Sequence, residues 1–102
     1  MNLKFENLSI GNNCPPVIVA EISGNHDQNI NRAIKLISLA KQSGAHAVKF
    51  QTYTPDTMTL NSNKPDFRVT GKKNLWKGEL LYNLYKKGST PYDWHEELFK
   101  YS

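Results

Sequence analysis

The chain has 102 residues, a formal charge of +4 and a hydrophobic content of 38%. This length provides at most one hydrophobic core, and no apolar stretch approaches the roughly 18 residues that a membrane-spanning helix needs. The start lacks a basic segment followed by an apolar one, and the single cysteine, Cys14, has no partner for an internal disulfide. We therefore expect a soluble, cytoplasmic protein without a targeting segment and without a contact to a membrane.

Basic residues are concentrated in one segment of the chain. Between Lys64 and Lys87 there are seven lysines or arginines and only two acids. Such a segment attracts anions, among them phosphates, sugar acids and nucleic acid, although charge runs more often form solvated surfaces. Aromatic residues are interleaved with these charges, which leaves open a small basic module that binds single-stranded nucleic acid.

The first thirteen residues alternate loosely between apolar and polar and end in the turn signal Gly11-Asn12-Asn13. This pattern predicts a short hairpin, edge strand or plug strand. Pro15 and Pro16 then fix an extended entry into the next element, because proline cannot donate a ladder hydrogen bond.

A near-continuous apolar run from Val17 to Ile22 predicts a strand that is covered on both faces. The run ends in a carboxylate at Glu21 and is followed by Gly24, Asn25 and His26. In α/β folds, ligands bind where loops leave the carboxyl ends of parallel strands. We therefore expect polar groups of a ligand site at this end of the strand.

Asn29 or Gln28 can cap a helix of about fifteen residues, and Gly44 supplies its left-handed C-cap. The apolar positions of this helix follow the i, i+3, i+4, i+7 pattern: Ile30, Ala33, Ile34, Ile37 and Ala40. A second strand follows over residues 45–52. Strand, helix and strand within about 35 residues make a βαβ unit with parallel strands and a right-handed crossover.

The alternation of side chains along the second strand discriminates between two α/β architectures. Val48 and Phe50 point to one face, while Lys49 and Gln51 point to the other. A lysine is hard to place in an open sheet that has helices on both faces, whereas it fits the mouth of a closed (β/α)₈ barrel. The same parity directs Glu21 inward. The predicted fold is α/β, namely the N-terminal portion of a (β/α)₈ TIM barrel with about two βα units.

The rest of the chain predicts a long polar loop and two helices. Loops as long as residues 53–71 are usually functional lids or disordered. A short helix is predicted from Lys77 to Lys87, and Thr90 with Pro91 predicts the start of a last helix. The chain stops within that helix.

Five residues are candidates for chemistry, and four of them have a structural alternative. Lys49 suggests a bound carboxylate or phosphate, or else an internal ion pair with Glu21. Glu21 suits sugar hydroxyls or acid and base catalysis, or else accepts loop amide hydrogens. Gln51 has a donor and an acceptor for a hydroxyl or acetamido group. His26 suits a ligand or proton carrier, and Asn25 a substrate contact, but loop residues of these types are more often structural.

The other histidines and the known short motifs contribute little. His46 lies at the start of its strand, away from the expected site, and His95 falls inside the last helix. No zinc-binding, P-loop or dinucleotide-binding signature is present.

The motifs around these candidates resemble the sialic acid synthase family, and within it the pseudaminic acid branch. The resembling segments are AEISGNH at 20–26, AVKFQTYTPDTMTL at 47–60, LWKG at 75–78, LYNLY at 81–85 and TPYDWH at 90–95. The resemblance covers residues 17–99. It implies that residues 1–102 are the N-terminal part of a TIM-barrel synthase domain whose remaining barrel units and C-terminal domain lie outside this chain.

The resemblance also implies an activity. Members of the family condense phosphoenolpyruvate with an N-acetylated amino sugar to give a nonulosonic acid, assisted by a divalent metal, manganese or magnesium. Lys49 would hold phosphoenolpyruvate, Glu21 would be catalytic, and Gln51, Asn25 and His26 would contact substrate. A homodimer is expected for the full-length enzyme, and nucleic acid is not expected as a partner.

Two departures from the family pattern qualify the resemblance. The family usually has Asn-Gly after the histidine, whereas this chain has Asp27-Gln28, so the turn loses a permissive glycine. Family members are several times longer, and their metal-binding histidines lie in the part that this chain lacks. No metal ligand is therefore assigned here, and an inactive fragment is a further alternative.

Overall fold

A computed structural model describes all 102 residues and shows a mixed α/β fold. The strands and helices, in chain order, are β1 Leu3–Phe5, β2 Leu8–Ile10, β3 Val19–Glu21, α1 Ile30–Gln42, β4 Ala47–Lys49, α2 Pro55–Met58, α3 Leu81–Gly88 and α4 His95–Tyr101. Short 3-10 helices lie at Pro65–Phe67 and Tyr92–Trp94. None of the helices has the length and apolar character needed to cross a bilayer.

The N-terminal hairpin pairs β1 and β2 in antiparallel fashion, with Leu3 opposite Ile10. Its turn lies at Glu6 and Asn7, and Glu6 has a φ of 50°. The turn signal predicted at residues 11–13 therefore does not close the hairpin, although the amide of Cys14 does donate to the carbonyl of Gly11.

Strands β3 and β4 are parallel, and Glu21 stands opposite Lys49 in their register. Each strand is three residues long, shorter than the apolar runs predict, because each has only the other as a partner. Hydrogen bonds from the Ile22 amide to the Lys49 carbonyl and from the His46 amide to the Ile18 carbonyl continue the pairing at both ends. The predicted βαβ connection is confirmed.

Helix α1 begins and ends as predicted. The Asn29 side chain accepts a hydrogen bond from the Arg32 amide, which satisfies one of the free amides of the first turn. At the other end, Gly44 has a φ of 89°. The amides of Gly44 and Ala45 donate to the carbonyls of Lys41 and Ala40, and these two bonds form a Schellman motif.

The core lies between α1, α4 and one face of the β3–β4 pair. Its buried members are Ala33, Ile37 and Leu98, and Val48 and Phe50 pack against them. The predicted parity of β4 is confirmed, because Val48 and Phe50 face the helices while Lys49 is exposed. We call residues 17–52 the sheet unit.

Residues 53–90, which we call the arm, connect the sheet unit to the last helix. The region predicted as a loop contains α2 and a 3-10 helix, and the amide of Val69 donates to the carbonyl of Glu79. Helix α3 begins at Leu81 rather than at Lys77, because the chain turns at Gly78, whose φ is 84°. The arm therefore carries more local structure than its composition indicates.

The chain as a whole is elongated. Its radius of gyration is 17.1 Å, compared with about 13 Å for a compact domain of this length. Only 7 of the 102 residues are buried, so much of the apolar surface of the sheet and helices is open.

Candidate active site

Glu21 and Lys49 form an ion pair at the carboxyl ends of the two parallel strands. The Lys49 Nζ atom donates to Glu21 Oε1 over 2.8 Å. Both side chains are 54% exposed, so a ligand has access to each of them. They lie on the face opposite the helices, which is where the alternation of the sequence places them.

Gln51 and Asn25 lie beside this pair along the chain, and both are exposed. The Gln51 backbone is fixed, because its carbonyl accepts a hydrogen bond of 2.8 Å from the Thr90 amide. The Asn25 side-chain amide donates to the Ile22 carbonyl over 2.9 Å, which ties the loop to the end of β3. The structure therefore brings together Glu21 and Lys49 directly, and it places Gln51 and Asn25 on the segments that follow them.

The loop between β3 and α1 is unusual in its backbone. Ser23, Asp27 and Gln28 have φ values of 52°, 51° and 54°. Left-handed conformations are unfavourable for residues that have a Cβ atom, and such residues persist only where surrounding contacts hold them. One of these three residues, Gln28, stands where the family pattern usually has a glycine.

His26 is buried, and both of its ring nitrogens are engaged within the chain. Nδ1 accepts a hydrogen bond from the Gln28 amide, and Nε2 lies 3.1 Å from the Thr90 hydroxyl oxygen. Because Nδ1 accepts, the proton resides on Nε2, which donates to Thr90. Burial lowers the pKa of His26, and the nearby Asp27 carboxylate opposes this effect. A direct contact between His26 and substrate stays a prediction. Its Nδ1 bond lies within the loop, and its Nε2 bond joins the loop to the end of the arm.

The loop and the arm also approach each other closely through their backbones and through Gln28. A methyl group built on Gly24 lies 3.0 Å from the Cα atom of Gly88. The Gln28 side-chain amide donates to the carbonyls of Ser89 at 2.6 Å and Lys87 at 3.0 Å, with Lys86 at 3.4 Å. The sequence indicates neither the partners of Gln28 nor the burial of Thr90, because the contacts span about sixty residues.

The two remaining histidines have structural roles. The Ile18 amide donates to His46 Nδ1 over 3.0 Å at the amino end of β3, opposite to the candidate site. His95 Nε2 lies 2.6 Å from the Thr52 hydroxyl oxygen, on the helix side of the sheet unit. Each ring thus has one nitrogen engaged within the chain, and the exclusion of both histidines from the site stays a prediction.

Aromatic residues of the arm pack beside the segment that follows β4. The rings of Tyr53 and Tyr85 meet edge to face at 5.8 Å between centroids, and burial raises the pKa of Tyr53. The Tyr82 hydroxyl donates to the Asp56 carboxylate over 3.2 Å. The first contact joins the segment after β4 to α3, and the second joins α2 to α3.

A cleft of about 790 Å³ lies along the free edge of β4, and Lys49 is one of the residues that line it. Its apolar walls include Phe5, Ile37, Val48, Leu98 and Phe99. An unpaired strand edge with apolar walls is what a sheet presents where a further strand and helix can pack. We therefore do not assign the catalytic site to this cleft.

The basic segment does not form a stacking platform for nucleic acid. Lys87 forms an ion pair with Glu79, and the Arg68 guanidinium donates to the Gly78 carbonyl. Tyr82 and Tyr85 are engaged within the arm, as described above. Single-stranded nucleic acid needs successive aromatic faces beside the cations. Trp76 is the only aromatic residue of this segment that is exposed.

Comparison with known proteins identifies the family. The model of the NeuB family matches residues 36–102, about two thirds of the chain. The chain belongs to the NeuB family. The chain is similar to the pseudaminic acid synthase of Helicobacter pylori. The two are 54% identical over 86 residues, which cover 84% of this chain and 25% of the relative. The pseudaminic acid synthase of Campylobacter jejuni is 49% identical over 83 residues, covering 81% of this chain and 24% of the relative.

A solved structure agrees with this membership in the NeuB family. The crystal structure of the spore coat polysaccharide biosynthesis protein SpsE from Bacillus subtilis superimposes with a TM-score of 0.64 and 27% identity. The superposition covers 99% of this chain and 24% of that structure. The chain thus spans about a quarter of the length of the curated relatives it matches.

Proposed function

We propose that this chain supplies part of the substrate site of a synthase that condenses phosphoenolpyruvate with an N-acetylated amino sugar to give a nonulosonic acid. The observation that carries this proposal is the accessible Glu21–Lys49 pair, which stands in register at the carboxyl ends of two parallel strands. The identity to pseudaminic acid synthases supports the substrate class.

In this proposal, residues 1–102 are the N-terminal portion of a (β/α)₈ barrel. The parallel β3–β4 pair with its crossover helix supplies the repeating unit. The free edge of β4 and its apolar cleft are surfaces that a further βα unit covers. Domain extent, a homodimer and a cytoplasmic location stay predictions.

Lys49 binds the phosphoenolpyruvate anion in this site. A carboxylate or phosphate oxygen accepts a charge-assisted hydrogen bond from Nζ and takes the place of Glu21 as its partner. The Glu21 carboxylate is then free to accept a hydrogen bond from a sugar hydroxyl or to take up a proton. Exchange of one anion for another keeps the lysine paired throughout.

Gln51 and Asn25 are proposed to hold the amino sugar. The Gln51 side chain offers a donor and an acceptor to an acetamido group or hydroxyl, and its backbone is already fixed by Thr90. Asn25 uses its amide nitrogen on Ile22. Its amide oxygen is the group that we assign to the sugar, while His26 acts by holding the loop.

The reaction forms one carbon–carbon bond. The methylene carbon of phosphoenolpyruvate attacks the aldehyde carbon of the open-chain sugar, and the aldehyde oxygen takes up a proton. Water then adds to the cation at the former enol carbon and loses a proton, and phosphate leaves. Lys49 and Gln51 contribute by fixing the two reactants near each other, which removes much of the entropic cost of bringing them together.

The divalent metal that the family resemblance implies, manganese or magnesium, does not fit the residues of this chain. Nowhere do three or more histidine, cysteine, aspartate or glutamate side chains gather in a way that could hold an ion. His26, His46 and His95 each use a ring nitrogen for a bond within the chain. No residue of this chain is assigned as a metal ligand.

A chimaera tests the proposal. The corresponding quarter of the Helicobacter pylori pseudaminic acid synthase is replaced by this chain, and the product is detected by mass spectrometry after incubation with phosphoenolpyruvate and N-acetylated amino sugars. We expect a product with the mass of the sugar plus phosphoenolpyruvate and water, less phosphate. A folded chimaera that makes none, with every sugar offered, would falsify the assignment of this chain to the substrate site.

A further inference from the structure

We propose that Gln28 is a positioning residue, whose side-chain amide latches the β3–α1 loop onto the end of α3 and thereby fixes the backbone of Gln51. The proposal deepens the function above, since it concerns how the sugar-binding end of the site is held. It starts from three contacts made by one nitrogen atom. Gln28 Nε2 faces the carbonyls of Lys86, Lys87 and Ser89 at 3.4, 3.0 and 2.6 Å.

These carbonyls belong to the last turn of α3 and to the residue that follows it. The final carbonyls of a helix have no partner within the helix, so a donor from outside satisfies them. Gln28 therefore caps α3 from a loop that lies about sixty residues earlier in the chain. The close approach of Gly24 to Gly88 shows that the loop and the helix end are in direct backbone contact.

The contact continues from the latch to the candidate site. Thr90 is buried, and its hydroxyl oxygen accepts a hydrogen bond from His26 Nε2. The Thr90 amide donates to the Gln51 carbonyl over 2.8 Å. The Gln28 amide in turn donates to His26 Nδ1. A movement of residues 86–90 away from the loop would therefore pull on the backbone of Gln51.

The backbone of Gln28 shows that this arrangement is held by its contacts. A φ of 54° is unfavourable for glutamine, whereas glycine adopts it without steric conflict. Residue 28 therefore carries a side chain although glycine would adopt the same backbone conformation more easily. Its hydrogen bonds to the arm are the gain that offsets this cost.

The test separates the latch from a merely structural role. Gln28→Gly removes the amide and relieves the left-handed backbone, and Gln28→Glu keeps the shape but turns an acceptor toward the carbonyls. Asp27→Gly is the matched control for the backbone, because Asp27 has a φ of 51°, and exchange is measured above about pH 7.5, where the influence of its carboxylate on the pKa of His26 does not change the charge of the ring. Amide exchange at Ser89 and Thr90 is measured in the full chain and in the chimaera.

We expect both Gln28 variants to speed exchange at Thr90 about 3- to 10-fold, the range for a lost hydrogen bond, and Asp27→Gly to leave it within about twofold. In the chimaera, the KM for the amino sugar should rise by a similar factor, while the KM for phosphoenolpyruvate stays within about twofold. Gln28→Gly should keep or raise Tm, because glycine relieves the strain.

Three results would overturn the inference. These are wild-type exchange rates in both Gln28 variants, an unprotected Thr90 amide in the unsubstituted protein, or equal shifts in both KM values together with a fall in Tm. If the unsubstituted chimaera makes no product, the proposed function fails. In that case the amide exchange rates alone test whether Gln28 holds the loop to the end of α3.

Discussion

The sheet unit, residues 17–52, and the arm, residues 53–90, are held in place by different kinds of contact. The buried residues of the sheet unit are mostly apolar, with Ile37 and Ala33 in contact with Leu98 of α4. The buried residues of the arm are Ser89 and Thr90, which are both polar. Burial of apolar area is non-directional, whereas hydrogen bonds depend on the placement of each partner. The sheet unit should therefore respond to lost volume and the arm to lost donors.

The largest effect is expected from Ile37→Ala in the sheet unit. Ile37 is 2% exposed, and removing a buried side chain of this size costs about 2–5 kcal/mol. Urea unfolding followed by circular dichroism measures the change. Leu39→Ala on the same helix is the control, since Leu39 is 46% exposed and should cost less than about 1 kcal/mol. Equal costs for both would mean that the sheet unit has no organised core.

Lys49→Met is expected to affect phosphoenolpyruvate binding more than stability. Loss of a charge-assisted hydrogen bond should weaken binding by about 2–3 kcal/mol, whereas an ion pair this exposed contributes about 0–1 kcal/mol to folding. The KM for phosphoenolpyruvate in the chimaera measures the first and thermal unfolding the second. Lys35→Met, at an exposed position of α1, is the control and should change neither. An unchanged KM would refute the role assigned to Lys49.

The sequence predicts the sheet unit well because its signals are local. The period of α1, its Asn29 cap, Gly44 and the alternation of β4 each depend on residues within a few positions. The Glu21–Lys49 pair follows from the parity of two strands and a parallel register. The apolar pattern overestimates the lengths of β3 and β4, because pairing depends on neighbouring strands that the pattern does not describe.

The arm could not be predicted in the same way, because its contacts join residues far apart in the chain. The sequence predicts Thr90 as a helix N-cap, but its hydroxyl contacts His26 and a 3-10 helix follows it. At residue 28 the sequence shows only that a glycine usual in the family is replaced by glutamine, whereas in the structure the Gln28 side-chain amide caps α3. The sequence leaves His26 open as a ligand or as a structural residue of the loop. The burial of its ring and its contact with Thr90 indicate that it holds the loop to the arm.

The pH dependence of stability tests the polar link between the two regions. Burial lowers the pKa of His26 in the folded state, so the unfolded chain binds a proton more readily. This contribution to stability is fully present above the unfolded pKa of about 6.5 and is lost as the pH falls through the lower folded value. The urea concentration at the midpoint of unfolding should decrease as the pH is lowered from about 7.5 to about 5, and it should decrease less in His26→Gln. His46→Gln is the control and should keep the pH dependence of the wild type. If His46→Gln removes this pH dependence and His26→Gln does not, the attribution to His26 is wrong.

The smallest effect is expected from Lys87→Met in the arm, which breaks the ion pair with Glu79. The Lys87 side chain is 64% exposed, and solvent screens such a pair, so the cost should be about 0.2–1 kcal/mol. The KM for phosphoenolpyruvate should not change, in contrast to Lys49→Met, although both lysines pair with a glutamate. The same two measurements therefore apply to both variants. An increase in KM for Lys87→Met as large as that for Lys49→Met would show that net charge, rather than position at the strand ends, attracts the substrate anion.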